Sequence, residues 1–171
     1  MNTFRRILLI IIPLILAFTS CKTKDNKPPY QLDNQKSDVI SIKYEEMGGV
    51  KVIPVKINGI TLSMIFDTGC SGIHMSLNEL SLLAKNGVFT EEDIIGSQYS
   101  SIADGSIVEN GVINIKEIVI GDSENGIVLR NKEASVSNNL TAPILLGNEV
   151  LDELATIEVD NINKTINFYK K

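Results

Sequence analysis

The chain has 171 residues, 43% of them hydrophobic, and 16 basic against 21 acidic side chains give a net charge of −5. That length holds one compact domain beside a leader, and the acidic balance excludes charge-driven binding to nucleic acid or to an anionic membrane surface. Tryptophan is absent and aromatic residues make up only 5%, so a core must be built from Ile, Val and Leu, with the β-branched members favouring pleated structure.

Arg5 and Arg6 precede an apolar run from Ile7 to Phe18 that only Pro13 interrupts, and Thr19-Ser20-Cys21 follows. A basic flank, a short apolar stretch and small residues before a cleavage point describe an export signal. The run is about a dozen residues, against roughly 20 needed to span a bilayer. Its end resembles a bacterial lipobox, with Phe18 standing where leucine is usual. That resemblance implies cleavage after residue 20, lipidation of Cys21, and a protein anchored by lipid on the extracytoplasmic side of a bacterial envelope. Losing Arg5 and Arg6 takes 16 basic residues to 14 against 21 acidic ones, a net charge of −7. Cys70 is then the one free thiol, so no intrachain disulfide can form. Residues 21–37 are rich in Lys, Asp, Asn, Gln and Pro without apolar periodicity, and they read as a flexible tether.

The domain expected over 38–171 is dense in strand patterns. Val39 to Tyr44 alternates, and so does Val50 to Ile57 after Gly48-Gly49. Asn58-Gly59 is a strong hairpin signal, because both residues tolerate positive φ. Ile60 to Phe66 returns from that turn and ends at Asp67, and Gly72 to Met75 predicts a short strand. Ser76 with Glu79 forms a capping box that opens a helix, which Asn86-Gly87 closes. A single turn is expected over Thr90 to Ile95. Strands are expected over Gln98 to Ile102 and from Ile107, around a turn at Ala103-Asp104-Gly105. Lys116 to Ile120 and Ile127 to Asn131 flank a polar turn at 121–126, whose faint likeness to a calcium loop lacks the ligand spacing. Asn148 to Leu154 predicts a short helix, and Thr156 to Val159 with Thr165 to Tyr169 a last hairpin. Many short strands with one or two short helices predict an all-β barrel or sandwich.

Asp67-Thr68-Gly69-Cys70-Ser71-Gly72 follows directly on Leu62-Ser63-Met64-Ile65-Phe66. An apolar strand there delivers a carboxylate into a glycine-bearing loop, and an acid so placed has either a partner or a chemical task. The bland alternative is a turn aspartate that caps its own loop amides. His74, the sole histidine, stands four residues after Cys70, too close along one strand for a cysteine–histidine nucleophile pair and without further zinc ligands. It reads as a packed or surface residue. No metal or cofactor site is legible.

Asp67-Thr68-Gly69 after an apolar strand, Ile144-Leu145-Leu146-Gly147 before a short helix, and Val52-Ile53-Pro54-Val55 before Asn58-Gly59 together resemble the retropepsin-like aspartic protease family. The resemblance covers nearly all of 51–169. It implies a single-domain closed β-barrel of acid-protease fold and hydrolysis of peptide bonds by two carboxylates that share a water. Two such groups a few ångströms apart cannot both ionise cheaply, so one stays protonated. Because one Asp-Thr-Gly is present, the resemblance implies a homodimer with Asp67 as the catalytic residue of each subunit. Thr68 would brace the two loops across the dyad, the Gly69 amide would lie near the carboxylate, and Ser71 would hydrogen-bond its outer oxygen. Ala103, Asp104 and Gly105 would form a flap over an extended peptide, and Leu145, Leu146 and Gly147 would support the catalytic loop. Cys70 departs from the alanine usual in the family, and a thiol there would make activity sensitive to oxidants or heavy metals. The alternative from a different class is a non-catalytic envelope lipoprotein that binds extended peptides in the same cleft.

Overall fold

A computed structural model describes residues 39–121 and 124–171. The expected signal peptide, the lipidation site Cys21, the tether and residues 122–123 of the polar turn lie outside the described residues. Eleven strands and two short helices follow one another in the described chain: β1 (Val39–Lys43), β2 (Glu45–Met47), β3 (Val50–Ile57), β4 (Ile60–Phe66), β5 (Ile73–Ser76), α1 (Leu77–Lys85), β6 (Ile94–Ser101), β7 (Ile107–Ile120), β8 (Ile127–Ser137), β9 (Leu145–Leu146), α2 (Asn148–Leu151), β10 (Leu154–Asp160) and β11 (Thr165–Lys170). A single 3-10 turn over Glu91–Asp93 precedes β6.

The larger sheet has the order β2-β3-β4-β9-β5-β8-β7-β6, and β3 also pairs with β7, so the pairing runs in a ring through β3, β4, β9, β5, β8 and β7. Pro54 is tolerated in this ring because β3 changes partner on one edge there, from β2 opposite Val50–Val52 to β7 opposite Val55–Ile57. Asn58 (φ 48°) and Gly59 (φ 85°) make the β3–β4 turn. The Asn58 carboxamide fixes that turn, accepting from the Glu117 amide at 2.9 Å and donating to the Val88 carbonyl at 3.0 Å. The three-stranded sheet β1-β11-β10 pairs the first described strand with the last and contributes Ile42, Leu154, Ile166 and Phe168 to the same core. Its Phe168, fully buried, meets the Phe66 ring edge-on at 6.3 Å. The core is otherwise aliphatic, including Ile53, Ile57, Ile73, Ile115, Ile118, Ile120, Leu146 and Ile166.

α1 starts as its capping box predicts: Ser76 Oγ accepts from the Asn78 amide at 3.1 Å, and Glu79 Oε2 accepts from the Ser76 amide at 3.0 Å. Gly87 at φ 70° ends it. Two strands run longer than their patterns suggested. β7 is continuous from 107 to 120, and β8 continues through Lys132–Ser137. β8 hydrogen-bonds to β7 on one side and, in its second half, to β5 on the other, so polar residues such as Lys132, Glu133 and Ser135 are held by pairing rather than by their own burial. Conversely, the expected helix over 148–154 stops at Leu151, because Leu154 already enters β10.

Asp93 is the buried acid of the domain, 4% exposed. Its Oδ2 accepts from the Thr90 amide at 2.9 Å, and Lys116 Nζ stands 3.0 Å from Oδ1. The Thr90 amide first, then Lys116, hold its carboxyl below the usual 3.8. A depressed folded-state value means that the carboxylate stabilises the fold above its unfolded-state pKa, and that this contribution is lost as pH falls through the folded value. Asp93→Asn should therefore lower the melting temperature near pH 7, and the gap to wild type should narrow as pH drops below about 4. Thermal melts from pH 7 to pH 2 measure this; a gap that stays constant would remove Asp93 from the acid response.

Candidate active site

β4 is buried along one face and ends at Phe66, which leaves Asp67 half-exposed at the start of an irregular loop. A second segment anchors that loop from below. β9 runs parallel to β4 in the register Ile65–Leu145 and Phe66–Leu146, and the Asp67 amide donates to the Leu146 carbonyl at 3.1 Å. The start of α2 then closes over the loop. The Asn148 amide donates to the Cys70 carbonyl at 2.9 Å and the Glu149 amide to the Ser71 carbonyl at 2.8 Å. The Asn148 side-chain amide donates to the Thr68 carbonyl at 2.8 Å.

Gly147 is what lets these segments touch. A Cβ there would stand 2.3 Å from the Gly72 carbonyl oxygen and 2.5 Å from that of Cys70. The apolar-apolar-glycine motif thus has a steric reason: two leucines supply strand pairing, and the missing side chain admits the backbone of the loop carrying Asp67. Leu145, Leu146 and Gly147 lie under that loop.

Within the loop, the Gly69 amide donates to Asp67 Oδ1 at 2.8 Å, and a Cβ on Gly69 would crowd the same oxygen at 3.1 Å. Thr68 is exposed, and among the described residues only its carbonyl is hydrogen-bonded, accepting from the Asn148 side chain. Ser71 makes no hydrogen bond to Asp67; its carbonyl serves the clasp with Glu149 instead. Cys70 is half-buried and its Sγ donates to the Gly72 carbonyl at 3.2 Å. Burial pushes its thiol up, the Gly72 contact opposes that, and the nearby Asp67 charge adds to it. That direction favours the protonated thiol over the nucleophilic thiolate.

Asp67 opens onto a cleft of about 1030 Å³. The far wall is the β6–β7 hairpin, whose β6 is exposed along nearly all its length. Ala103 lines the cleft, while Asp104 and Gly105 form the outer part of the tip. Gly105 adopts φ 84°, and Asp104 Oδ1 accepts from the Ser106 amide at 2.8 Å. Bonds from Ser106 lower the Asp104 carboxyl below its ordinary value, so its work in this structure is turn formation.

The cleft lining also contains residues that the sequence did not single out: Gln98, Asn110, Glu133, Ser135 and Glu149. His74 joins them, half-buried, with Nδ1 2.8 Å from Ser135 Oγ, and burial lowers its basicity. The register of β5 with β8 brings His74 to Ser135, the β6–β7 pairing adds Gln98 and Asn110, and α2 adds Glu149; a β8 assumed to stop at Asn131 could not reveal Glu133 or Ser135. No group of three or more His, Cys, Asp and Glu side chains suited to a metal ion occurs among the described residues. What the site offers is a carboxylate fixed by a loop amide at the edge of a strand-walled cleft, which suits acid–base work on a bound water.

The profile of the family described as aspartyl protease matches residues 53–150, which spans β3 to α2 and includes both the Asp67 loop and its Gly147 support. Among solved structures, the crystal structure of a retropepsin-like aspartic protease from Rickettsia conorii is similar, with a TM-score of 0.54 at 17% identity over 77% of this chain and 90% of that one. At that identity the likeness speaks for the fold alone, an all-β retropepsin-like architecture. No curated protein matches significantly.

Proposed function

We propose that this chain, which belongs to the aspartyl protease family, is a lipid-anchored extracytoplasmic endopeptidase that works as a homodimer with Asp67 as its catalytic residue. The observation that carries the reading is the Asp67 loop itself: one carboxylate, oriented by the Gly69 amide, clasped from beneath by Gly147 to Glu149 and opening on the long cleft. The profile match and the fold support a peptidase. The dimer follows from chemistry, since the reaction needs two carboxylates and the chain carries one Asp-Thr-Gly.

In the dimer, Asp67 and Asp67 of the partner subunit share one proton and hold a water between them. The ionised carboxylate takes a proton from the water as its oxygen attacks the scissile carbonyl carbon, and the protonated one donates to the carbonyl oxygen. A tetrahedral diol results. Its collapse returns a proton to the departing amide nitrogen as the C–N bond breaks, leaving a new carboxyl and a new amine. The exposed Thr68 side chains are free to meet across the two-fold axis, and the β6–β7 hairpin closes over substrate and excludes water. Anchoring rests on the lipobox resemblance at Cys21.

The test incubates the full chain with a mixed peptide library at several pH values while the protein is diluted through its dimer dissociation range, followed by mass spectrometry and sedimentation. Internal cleavage should appear at acidic to neutral pH, and specific activity should fall with the dimer fraction. Peptide binding without cleavage would identify a non-catalytic lipoprotein, and an active monomer would overturn the shared dyad.

A further inference from the structure

The cleft carries a charge pattern that the chemistry at Asp67 does not require. Ile73 of β5 pairs with Leu146 of β9 and Ala134 of β8, and all three are turned into the core. Side chains alternate along a strand, so Gly72 and Glu133 face the cleft, and both line it. Asp67 follows Phe66, the register partner of Leu146. Asp67, Gly72 and Glu133 therefore occupy one row across the sheet, with Glu133 roughly 14 Å from Asp67 at the usual spacing of about 4.8 Å per strand. Glu149 reaches the same row from α2, its Oε2 3.3 Å from the point where a Cβ on Gly72 would stand. Neither glutamate makes an ion pair or a side-chain hydrogen bond among the described residues. Among the described residues the lining includes four carboxylates, with Asp67 and Glu109 the other two, and neither a lysine nor an arginine.

Asn110 supplies an independent sign of a polar ligand. It lies on β7 opposite Gln98, is 4% exposed, and lines the same cleft, yet its carboxamide has no hydrogen-bond partner among the described residues. No fully buried side-chain polar atom among the described residues lacks a partner, so the Asn110 carboxamide stands open to the cleft, where a peptide bond would pair with it.

We propose that the cleft selects peptides carrying a lysine or arginine within about four residues of the bond presented to Asp67, a reach set by the ~3.3 Å rise of an extended chain. The cationic side chain sits between Glu133 and Glu149, and Asn110 hydrogen-bonds the peptide main chain. The position of the cut rests on the peptidase reading; the binding preference does not.

The experiment uses the full chain carrying Asp67→Asn, so that bound peptide is not consumed, and three fluorescent peptides of equal length bearing Lys, Ala or Glu at the variable positions. Polarisation titrations should show the Lys peptide binding about tenfold or more tighter than the Glu peptide. Glu133→Gln with Glu149→Gln should bring the Lys peptide to the level of the Ala peptide. Asn110→Ala should weaken all three by a similar factor while keeping their ratio, with Asn110→Gln restoring part of the loss and a melting curve checking the fold. Glu91→Gln with Glu92→Gln removes the same charge from an exposed turn outside the cleft lining. If that control lowers the Lys preference as much, or if the three peptides bind alike, the proposal is overturned. Wild-type cleavage without basic preference would also overturn it and leave the peptidase reading standing. Selective binding with no cleavage by wild type would do the reverse.

Discussion

Asp67→Asn should reduce peptide hydrolysis by roughly 10³-fold or more, since both the general base and the general acid of the dimer are lost together. The substitution is nearly isosteric, and the Gly69 amide that donates to Oδ1 at 2.8 Å can donate to a carboxamide oxygen as well. Folding and dimerisation should therefore be unchanged in sedimentation and thermal melts. The sharing of the site between subunits adds a second signature. Mixing one part wild type with three parts Asp67→Asn and allowing subunits to exchange leaves only about a quarter of the wild-type subunits paired with each other. Activity per wild-type subunit should fall to about that fraction. A chain whose site were complete in one subunit would keep full activity in the mixture, and cleavage surviving in pure Asp67→Asn would remove Asp67 from the chemistry.

The β-rich architecture and the Asp67 loop were legible because they are local. Alternation over Val50–Ile57, positive φ at Asn58-Gly59 and the capping box at Ser76 each depend on a few neighbouring residues, and the structure places each where the pattern does. The rest of the cleft lining was not legible. Glu133, Ser135 and Asn110 give no periodic signal, because polar residues on a cleft-facing strand look like loop residues until the partner strands are known. The same limit explains His74. Its parallel pairing with Ser135, 61 residues away, turns a residue that reads as packing into part of the cleft wall. The carboxylate of Asp67 could be found from one strand and one turn, whereas the residues that would face substrate could be found only from the register between strands distant in sequence.

Gly147→Ala should be among the most damaging single substitutions in the domain, although it adds only one methyl group. Its Cβ would meet two carbonyl oxygens at 2.3 Å and 2.5 Å, and both belong to backbone rather than to the movable end of a side chain. Relief requires the Cys70–Gly72 loop to lift away from α2. That motion breaks the bonds from Asn148 to the Cys70 carbonyl and from Glu149 to that of Ser71, and it strains the one from Asp67 to Leu146. Each such bond contributes about 0.5–1.5 kcal/mol, and overpacking a tight site adds about 1–3 kcal/mol. A total loss of several kcal/mol would lower the melting temperature by roughly 10 °C or more. Because backbone conformation is not at issue (Gly147 sits at φ −105°, open to any residue), the effect is steric. Gly147→Ser should then be at least as harmful, while Gly111→Ala, whose Cβ would meet only ordinary contacts at 3.9 Å and beyond, should cost far less. A Gly147→Ala protein that melts like wild type would show that the Asp67 loop does not depend on this contact.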